Sequence, residues 1–529
     1  MSSKSFKISI DSILGGQSRL GAFGAEGEFK NSLAIDPDQE SYSSENKSSG
    51  LLVPTPSVAL GGNTLDAEPL WLNTTPKTDD VFVYDQSGKV YTAVLATNTI
   101  SDLNNGVAIS SSSGNGSDYY DNYNYFATNT NITRYGPLNG TRVFTNSYWT
   151  GTLGLSALGN GVTYPAPKIG TSRYPNHVMH RHVDNKNYIC DVMANNGVHT
   201  GKGAIHFIKT TKTTVEGDTN DGSTYNALDL PYGVWPTDIE SFGTDLAISA
   251  YEGDTTTGNT VGKKGKVYFW DTTSSSFYKV VELPDPLVSA LEFVNGELIA
   301  FSGNPGDIGC RVSRFVGGYS FEEITYLEDT QPPFAGATDA IMSRVIFGGF
   351  SSSLGNYGVL WAIGSKISKI TRGLFNIMRF TGTAGANATV TSVIIPENTD
   401  FTNTKYLIGW RDGTVFGIDR NATTYGVSEF QSEVFKVGKP FEVNRIRIPL
   451  NQAVGANMTI AVKVIVDEES TSTTVSTINN TNYADSERFI DIHPNVRGKH
   501  DFFFQLSWSG SSLLSVGLPI IIEGNILEE

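Results

Sequence analysis

Three of the chain's seven histidines stand together in His177-Val178-Met179-His180-Arg181-His182. Imidazoles this close invite a metal reading. On an extended strand His180 and His182 share a face and His177 does not. No third ligand follows at a zinc-like spacing. The expectation is therefore a hydrogen-bonded role, between structural units or facing a channel. Carboxylates cluster in two loops. Glu216, Asp218 and Asp221 lie in EGDTNDGS, and Asp467-Glu468-Glu469 ends an apolar run. The first has a calcium-loop flavour but lacks the alternation and the closing bidentate glutamate of an EF-hand. Both read as solvated loops. Glycoside hydrolysis needs two carboxylates aimed at one bond, and no pair is singled out. The Ser-x-Asp-x-Gly-x-Thr-Trp box of propeller sialidases does not recur. There is no G-x-S-x-G elbow, phosphate loop or dinucleotide fingerprint, and no WD or Kelch signature. The expectation is no catalytic residue, no cofactor and no metal.

One stretch is rich in aromatics: SDYYDNYNYF, with Tyr119, Tyr120, Tyr123, Tyr125 and Phe126. Tyrosine joins a rigid apolar face to a polar tip, which suits contact with protein or glycan. The four tyrosines are thus candidate surface-contact residues. The competing reading places Tyr123 and Tyr125 in an ordinary strand. Cys190 and Cys310 lie far apart in no metal-ligand spacing and read as two buried free thiols.

The elements that would carry these residues are strands. Charged residues make up 17% of the 529, below the usual ~25%, and Gly (55 residues), Ser, Thr and Asn fill the difference. That is turn and strand chemistry. Net charge is −16 with no basic stripe, so nucleic acid is a poor partner. The start, MSSKSFKISIDSILGG, shows no secretory apolar region, and no apolar run approaches a membrane span.

Three regions follow. Residues 1–64 read as an extended arm with spaced apolar anchors at Leu20, Phe23, Phe29 and Leu33, expected to lie against another subunit. Residues 65–430 carry a weak repeat. Asp238–Phe242, Gly243 and Leu246–Ser249 match Ala290–Val294, Asn295-Gly296 and Leu298–Phe301 at an offset of 52 residues, and two further copies start near Ala340 and Val390. A four-stranded unit recurring at this spacing is the mark of a propeller blade, because one blade cannot cover its own apolar faces and a ring of them can. Six or seven blades are expected. Two stacked sandwiches are the alternative. In residues 431–529 strict alternation takes over, as in Met458, Ile460, Val462, Val464 and Val466, or Phe502, Phe504, Leu506 and Trp508. Period-two runs of this kind predict a small β-sandwich.

A Gly-studded arm ending near Ala34-Ile35-Asp36-Pro37-Asp38, a motif-poor propeller and a terminal sandwich resemble the propeller-bearing tail proteins of short-tailed and related phages, the nozzle or hub subunits. The stretches VGKPFEVNRIRIPL, MTIAVKVIVDEES and FFFQLSWSGSSLLSVGLPIIIEG resemble the ends of many phage proteins. The resemblance implies a non-enzymatic virion component assembled in the host cytoplasm. Its partners would be adaptor, tail or fibre subunits, and other copies of itself in a ring. A glycan-recognising tail-tip or head-decoration protein, binding a host surface receptor, and a propeller glycosidase are the alternatives.

Overall fold

The computed structural model describes residues 4–13, 16–17, 28–33, 57–59, 61–62, 65–75, 78–94, 96–109, 116–128, 132–149, 178–191, 202–209, 224–253, 263–304, 308–341, 344–351, 357–364, 374–379, 389–396, 406–411, 414–418, 428–450, 454–467, 473–483, 489–510 and 516–527. Among these residues the chain is built of strands, with one short 3₁₀ turn at Ala335–Ala337 and no α-helix.

The described residues between 57 and 418 form a succession of sheets, antiparallel apart from the parallel pairing of Gly61–Gly62 with Thr99–Asp102. Their first strands are Pro69–Thr75, Ser117–Tyr120, Met179–Arg181, Val234–Phe242, Leu287–Val294, Thr338–Ile341 and Val390–Ile394. Each leads into further strands that pair outward in chain order. The fourth and fifth units are joined into one sheet where Tyr251 pairs with Leu287. Each first strand touches the first strand of the next unit, and Val390–Ile394 of the seventh touches Pro69–Thr75 of the first. The circuit closes, which is the defining contact pattern of a β-propeller fold. Apolar clusters fill the spaces between units. Tyr188, Ile205, Leu246 and Trp270 lie between the third and fourth, and Ile299, Phe301, Phe347 and Trp361 between the fifth and sixth.

The ring is sealed by a strand from the chain's beginning. Ser57–Ala59 pairs antiparallel with Phe416–Ile418, the third strand of the seventh unit. The same seam is pinned by Thr391, whose hydroxyl donates to the Pro69 carbonyl at 2.6 Å, and by Arg411, 3.5 Å from the buried Glu68.

The last hundred residues form two sheets over one apolar core. One sheet runs Ser5–Ile10, Ile520–Ile526, Phe441–Pro449 and Phe489–Ile492, with Val496–Gly498 also on Phe441–Pro449. The other runs Thr473–Ile478, Met458–Val466, Asp501–Gly510, Ser428–Gln431 and Asn31–Leu33. Burial follows the alternation read from sequence: Met458, Ile460, Val462 and Val464 face inward against Phe504, Leu506 and Trp508. Val466 is only partly buried.

The described parts of residues 1–64 are knit into their own chain. Ser5–Ile10 is an edge strand of the terminal sheets, with Ser5 opposite Asn525 and Ile10 opposite Ile520. Asn31–Leu33 pairs with Ser428–Gln431. Phe29, expected against another subunit, is 2% exposed and packs between Phe375 and Phe430, 5.7 and 5.4 Å away between ring centroids. The physical reason is that the last units and the terminal sheets share one core, and Phe29 and Ile13 fill the junction between them. Leu20 and Phe23 lie outside the described residues. Leu33 is described only as part of its strand.

Candidate functional site

The first strands of all the units face a common axial cavity of about 560 Å³. Its wall carries Asp118 from the second unit, His180 and Arg181 from the third, Asp238 and Glu240 from the fourth, Glu292 from the fifth and Asp339 from the sixth. The first unit adds Trp71 and Asn73, and the seventh adds only the apolar stretch Val393–Pro396.

Part of the lining is apolar and comes from a turn and an indole. The turn Ala335–Ala337 touches strands of the first, fifth, sixth and seventh units. Trp71 lies on this turn, so that a Cβ on Gly336 would come within 2.6 Å of the indole, and it also reaches the apolar cluster of the third and fourth units. Ala335, Gly336 and Ala337 are all buried. The turn and the indole both form part of the cavity lining.

The polar side chains of the wall are largely engaged in holding neighbouring units. Asp238 accepts from the backbone N–H of Ile239 at 2.8 Å and, across the junction, from that of Leu291 at 2.8 Å. Asp339 repeats the arrangement one junction further on, accepting from Ala340 at 2.8 Å and from Ile395 at 2.5 Å. The residue before each aspartate is Thr237 or Thr338, and Thr237 donates to the Val288 carbonyl of the next unit at 2.5 Å. Strands that pack edge-on leave backbone groups facing sideways, and short acceptors and hydroxyls satisfy them.

The junction of the third and fourth units uses histidine instead. His180 Nε2 is 2.7 Å from Ser241 Oγ, His182 Nδ1 is 3.0 Å from the same oxygen, and His182 Nε2 is 3.0 Å from the Thr244 carbonyl. The carbonyl can only accept, so Nε2 of His182 carries a proton. In the neutral ring Nδ1 then accepts from Ser241, and His180 Nε2 donates to the serine oxygen. His180 and His182 therefore act together, sharing the face expected from their spacing. His177 lies outside the described residues. Burial, helped by His182, lowers the His180 pKa to about 3. Glu240 Oε1 stands 4.0 Å away.

The carboxyls move the other way. Burial raises Asp238 to about 7, against the two backbone hydrogen bonds that favour its charged form. Glu240 is raised well above the usual carboxylate range by burial and then by the nearby Asp238. Glu292 is raised by burial and then by Asp339 and Glu240. Like charges crowding a confined cavity resist simultaneous ionisation. Among the described residues no three His, Cys, Asp or Glu side chains converge closely enough to hold a metal ion.

The tyrosine stretch is a hairpin of the second unit, Ser117–Tyr120 against Tyr123–Ala127, turning at Asp121 and Asn122, both at positive φ. Tyr119, Tyr120 and Tyr125 are 8%, 1% and 2% exposed. The expectation of a surface contact is corrected for these three, because alternation turns their rings into the packing between units. Tyr120 also donates to the Asn185 carbonyl of the third unit. Tyr123 is partly buried, and Arg134 stacks on its ring and on that of Tyr148 at 4.2 and 4.1 Å. Glu216, Asp218 and Asp221 fall outside the described residues, as do Glu468 and Glu469. Asp467 is a turn acceptor for the N–H groups of Lys499 and His500 at 2.8 and 2.7 Å. Cys190 and Cys310 are both buried and unbridged. The channel carboxylates themselves were not singled out from sequence. Their signal is the Ser/Thr-Asp pair at corresponding places in three first strands: Ser117-Asp118, Thr237-Asp238 and Thr338-Asp339.

No protein-family model matches the chain, and no curated protein matches it. Among solved structures, the Dos1 propeller is 10% identical, with a TM-score of 0.42, over 68% of this chain and 94% of its own. The computationally designed Ika8 protein is 12% identical, with a TM-score of 0.39, over 68% of this chain and 99% of its own. The propeller-like all-β fold of this chain rests on its own strand circuit.

Proposed function

We propose that this chain is a non-enzymatic structural subunit of a tailed-phage virion, a nozzle or hub component working as a ring of copies. We read its closed circuit of units as a seven-bladed propeller and its terminal sheets as a β-sandwich. The observation that carries the structural reading is the use of the axial side chains. Asp238, Asp339, Thr237, Thr391 and the His180–Ser241–His182 bridge tie unit to unit. Residues so engaged serve a scaffold. The virion assignment rests on the sequence resemblance. Native mass spectrometry of the purified chain, with imaging of the same sample, tests the ring. Closed oligomers support the proposal, and a monomer at every concentration overturns it.

A second reading has its own observation. Glu240 and Glu292 face one cavity, and burial together with neighbouring carboxyls raises both above the usual carboxylate range, the direction a general acid requires. Incubating the chain with envelope polysaccharide separates the readings. Protein-dependent release of oligosaccharide that is lost in Glu240→Gln would establish a glycosidase and remove the structural reading.

A further inference from the structure

The exposed tyrosines expected of the second unit stand instead in the fourth and fifth. We propose that the turn ends of these two units form a binding face for an acidic saccharide, with Tyr278 and Tyr319 stacking on sugar rings and Lys279 meeting a uronic carboxylate. The proposal adds a ligand to the structural reading and holds whether or not the chain forms a ring of copies.

Strand register brings the face together. Phe242 pairs with Asp245, Phe269 with Lys279 and Phe315 with Phe321, each pair flanking the turn that joins its two strands. Phe242 then links the two units, with ring centroids 5.3 Å from Phe269 and 5.7 Å from Phe315. These rings rest on the apolar cluster that the fourth and fifth units share. Beside them Tyr278 is 51% exposed, and Tyr319, which follows the positive-φ pair Gly317-Gly318, is 75% exposed. Lys279 spans the set: its Nζ lies 5.0 Å from the Phe269 centroid, 4.8 Å from Phe315 and 5.8 Å from Tyr319. The Tyr278 hydroxyl donates to Asp245 at 2.6 Å, which fixes that ring.

Two features select the ligand. The first is the kind of surface. A pyranose turns several C–H bonds to one side, and these weakly positive bonds fit the negative face of a tyrosine ring. The exposed rings share their face with Lys279 and Asp245, whereas the centre of a protein interface sheds charged residues. Asp245 keeps lone pairs with which to accept from a sugar hydroxyl. The second feature is charge. Arg314 in the same hairpin as Tyr319 is already engaged, 2.7 Å from Glu322 and 3.0 Å from Glu297. Lys264 likewise meets Glu282 at 3.2 Å. Lys279 forms no ion pair among the described residues, and its ammonium lies against aromatic rings that hold it without neutralising it. A net charge of −16 repels polyanions at long range, so a preference for an acidic sugar has to come from a local cation of this kind.

The test uses the full chain on an array of size-matched oligomers of galacturonic, glucuronic and mannuronic acid beside neutral glucose and mannose oligomers, followed by titration calorimetry with the best-retained oligomer. Acidic oligomers should be retained over neutral ones. Tyr319→Ala, a change at an exposed turn, should weaken the affinity at least about tenfold. Lys279→Gln should reduce the acidic oligomer to the level of its neutral counterpart, while Lys264→Gln, which removes the same charge elsewhere, should leave it unchanged. Retention of no acidic oligomer above the neutral ones overturns the proposal. So does retention that survives both Tyr319→Ala and Lys279→Gln, since the sugar would then sit elsewhere. Capture of an envelope protein in place of sugar, lost in the same two variants, would make the face a protein interface and overturn it equally.

Discussion

The ring and the terminal sheets solve the same problem with different chemistry. Both must hold strands together that are far apart in sequence. The terminal sheets do it with a dry interior: Phe441, Val443, Ile446 and Ile448 face Met458, Ile460, Val462, Val464, Phe504 and Leu506, all buried. The ring has apolar packing between its units, but its inner edge relies on side chains that pair with backbone across each junction. Apolar burial is strong, non-directional and indifferent to pH. Polar staples contribute less each, fix the register of neighbouring units and titrate. The difference teaches where each region is vulnerable. The terminal sheets should fail through lost or violated packing, and the ring's inner edge through charge.

The comparison breaks most easily in the dry core. Val462 is fully buried and pairs with Leu506. Val462→Asp places a carboxylate there with no partner, and the expected loss is roughly 4 kcal/mol or more. The measurement is chemical denaturation of the soluble fraction, and an unchanged midpoint would mean that this face is not the core. Phe29→Ala probes the junction where arm, last units and terminal sheets meet. Removing a buried ring from between Phe375 and Phe430 should cost about 3–5 kcal/mol. A loss below about 1 kcal/mol, within the range of surface substitutions, would show the arm to be a free extension after all.

Smaller effects sharpen the other half. Asp238→Asn leaves one acceptor where two N–H groups, of Ile239 and Leu291, now find partners. The stranded N–H should cost about 1–3 kcal/mol. Because the substitution also removes a titrating group, the loss should shrink as pH rises from about 5 to about 9. Val462→Asp offers no such compensation at high pH. A loss for Asp238→Asn that is constant over this range would place the residue in the same class as the apolar core. Thr391→Val removes the seam's hydroxyl while keeping its shape, and about 1 kcal/mol is expected from the lost 2.6 Å hydrogen bond to the Pro69 carbonyl, which Ser392 reaches only at 3.4 Å.

Much of this division was legible in the sequence for a local reason. Alternation over Met458–Val466 or Asp501–Gly510 exposes a strand's buried face directly, and the Asn295-Gly296 turn between two apolar runs marks a hairpin. The offset between Asp238–Ser249 and Ala290–Phe301 survived because those hairpins carry no long insertions. What stayed hidden is non-local. Nothing in Ser5–Ile10 announces that its partner is Ile520–Ile526, or in Ser57–Ala59 that it closes the ring beside Phe416–Ile418. The tyrosine hairpin misled because tyrosine density looks the same on a contact surface and in packing between units. Glu240 and Glu292 carry no signal of their own in the sequence, and they come to share one cavity wall only through the closing of the circuit.

The smallest expected effect lies on the outer face of the terminal sheets. Asp491 sits 3.0 Å from Arg445 and 3.2 Å from Arg447, while Arg445 also reaches Glu523 at 3.5 Å. The hydrogen bonds from Arg445 and then Arg447 hold its pKa down to about 2. A depressed carboxyl contributes stability above its unfolded value near 4 and loses it as pH falls towards 2, the opposite sense to Asp238. Yet the side chains of Asp491, Arg445 and Arg447 are 39%, 35% and 41% exposed, so water and salt screen most of the attraction. Asp491→Asn should therefore change stability by no more than about 0.5 kcal/mol near pH 7, and less again in about 0.5 M salt. Asp238→Asn should respond little to added salt, because its pair is backbone within a cavity. If the two substitutions show equal cost and equal salt dependence, carboxylates at the ring's axis are no different from those on an open sheet, and the contrast between the two regions fails.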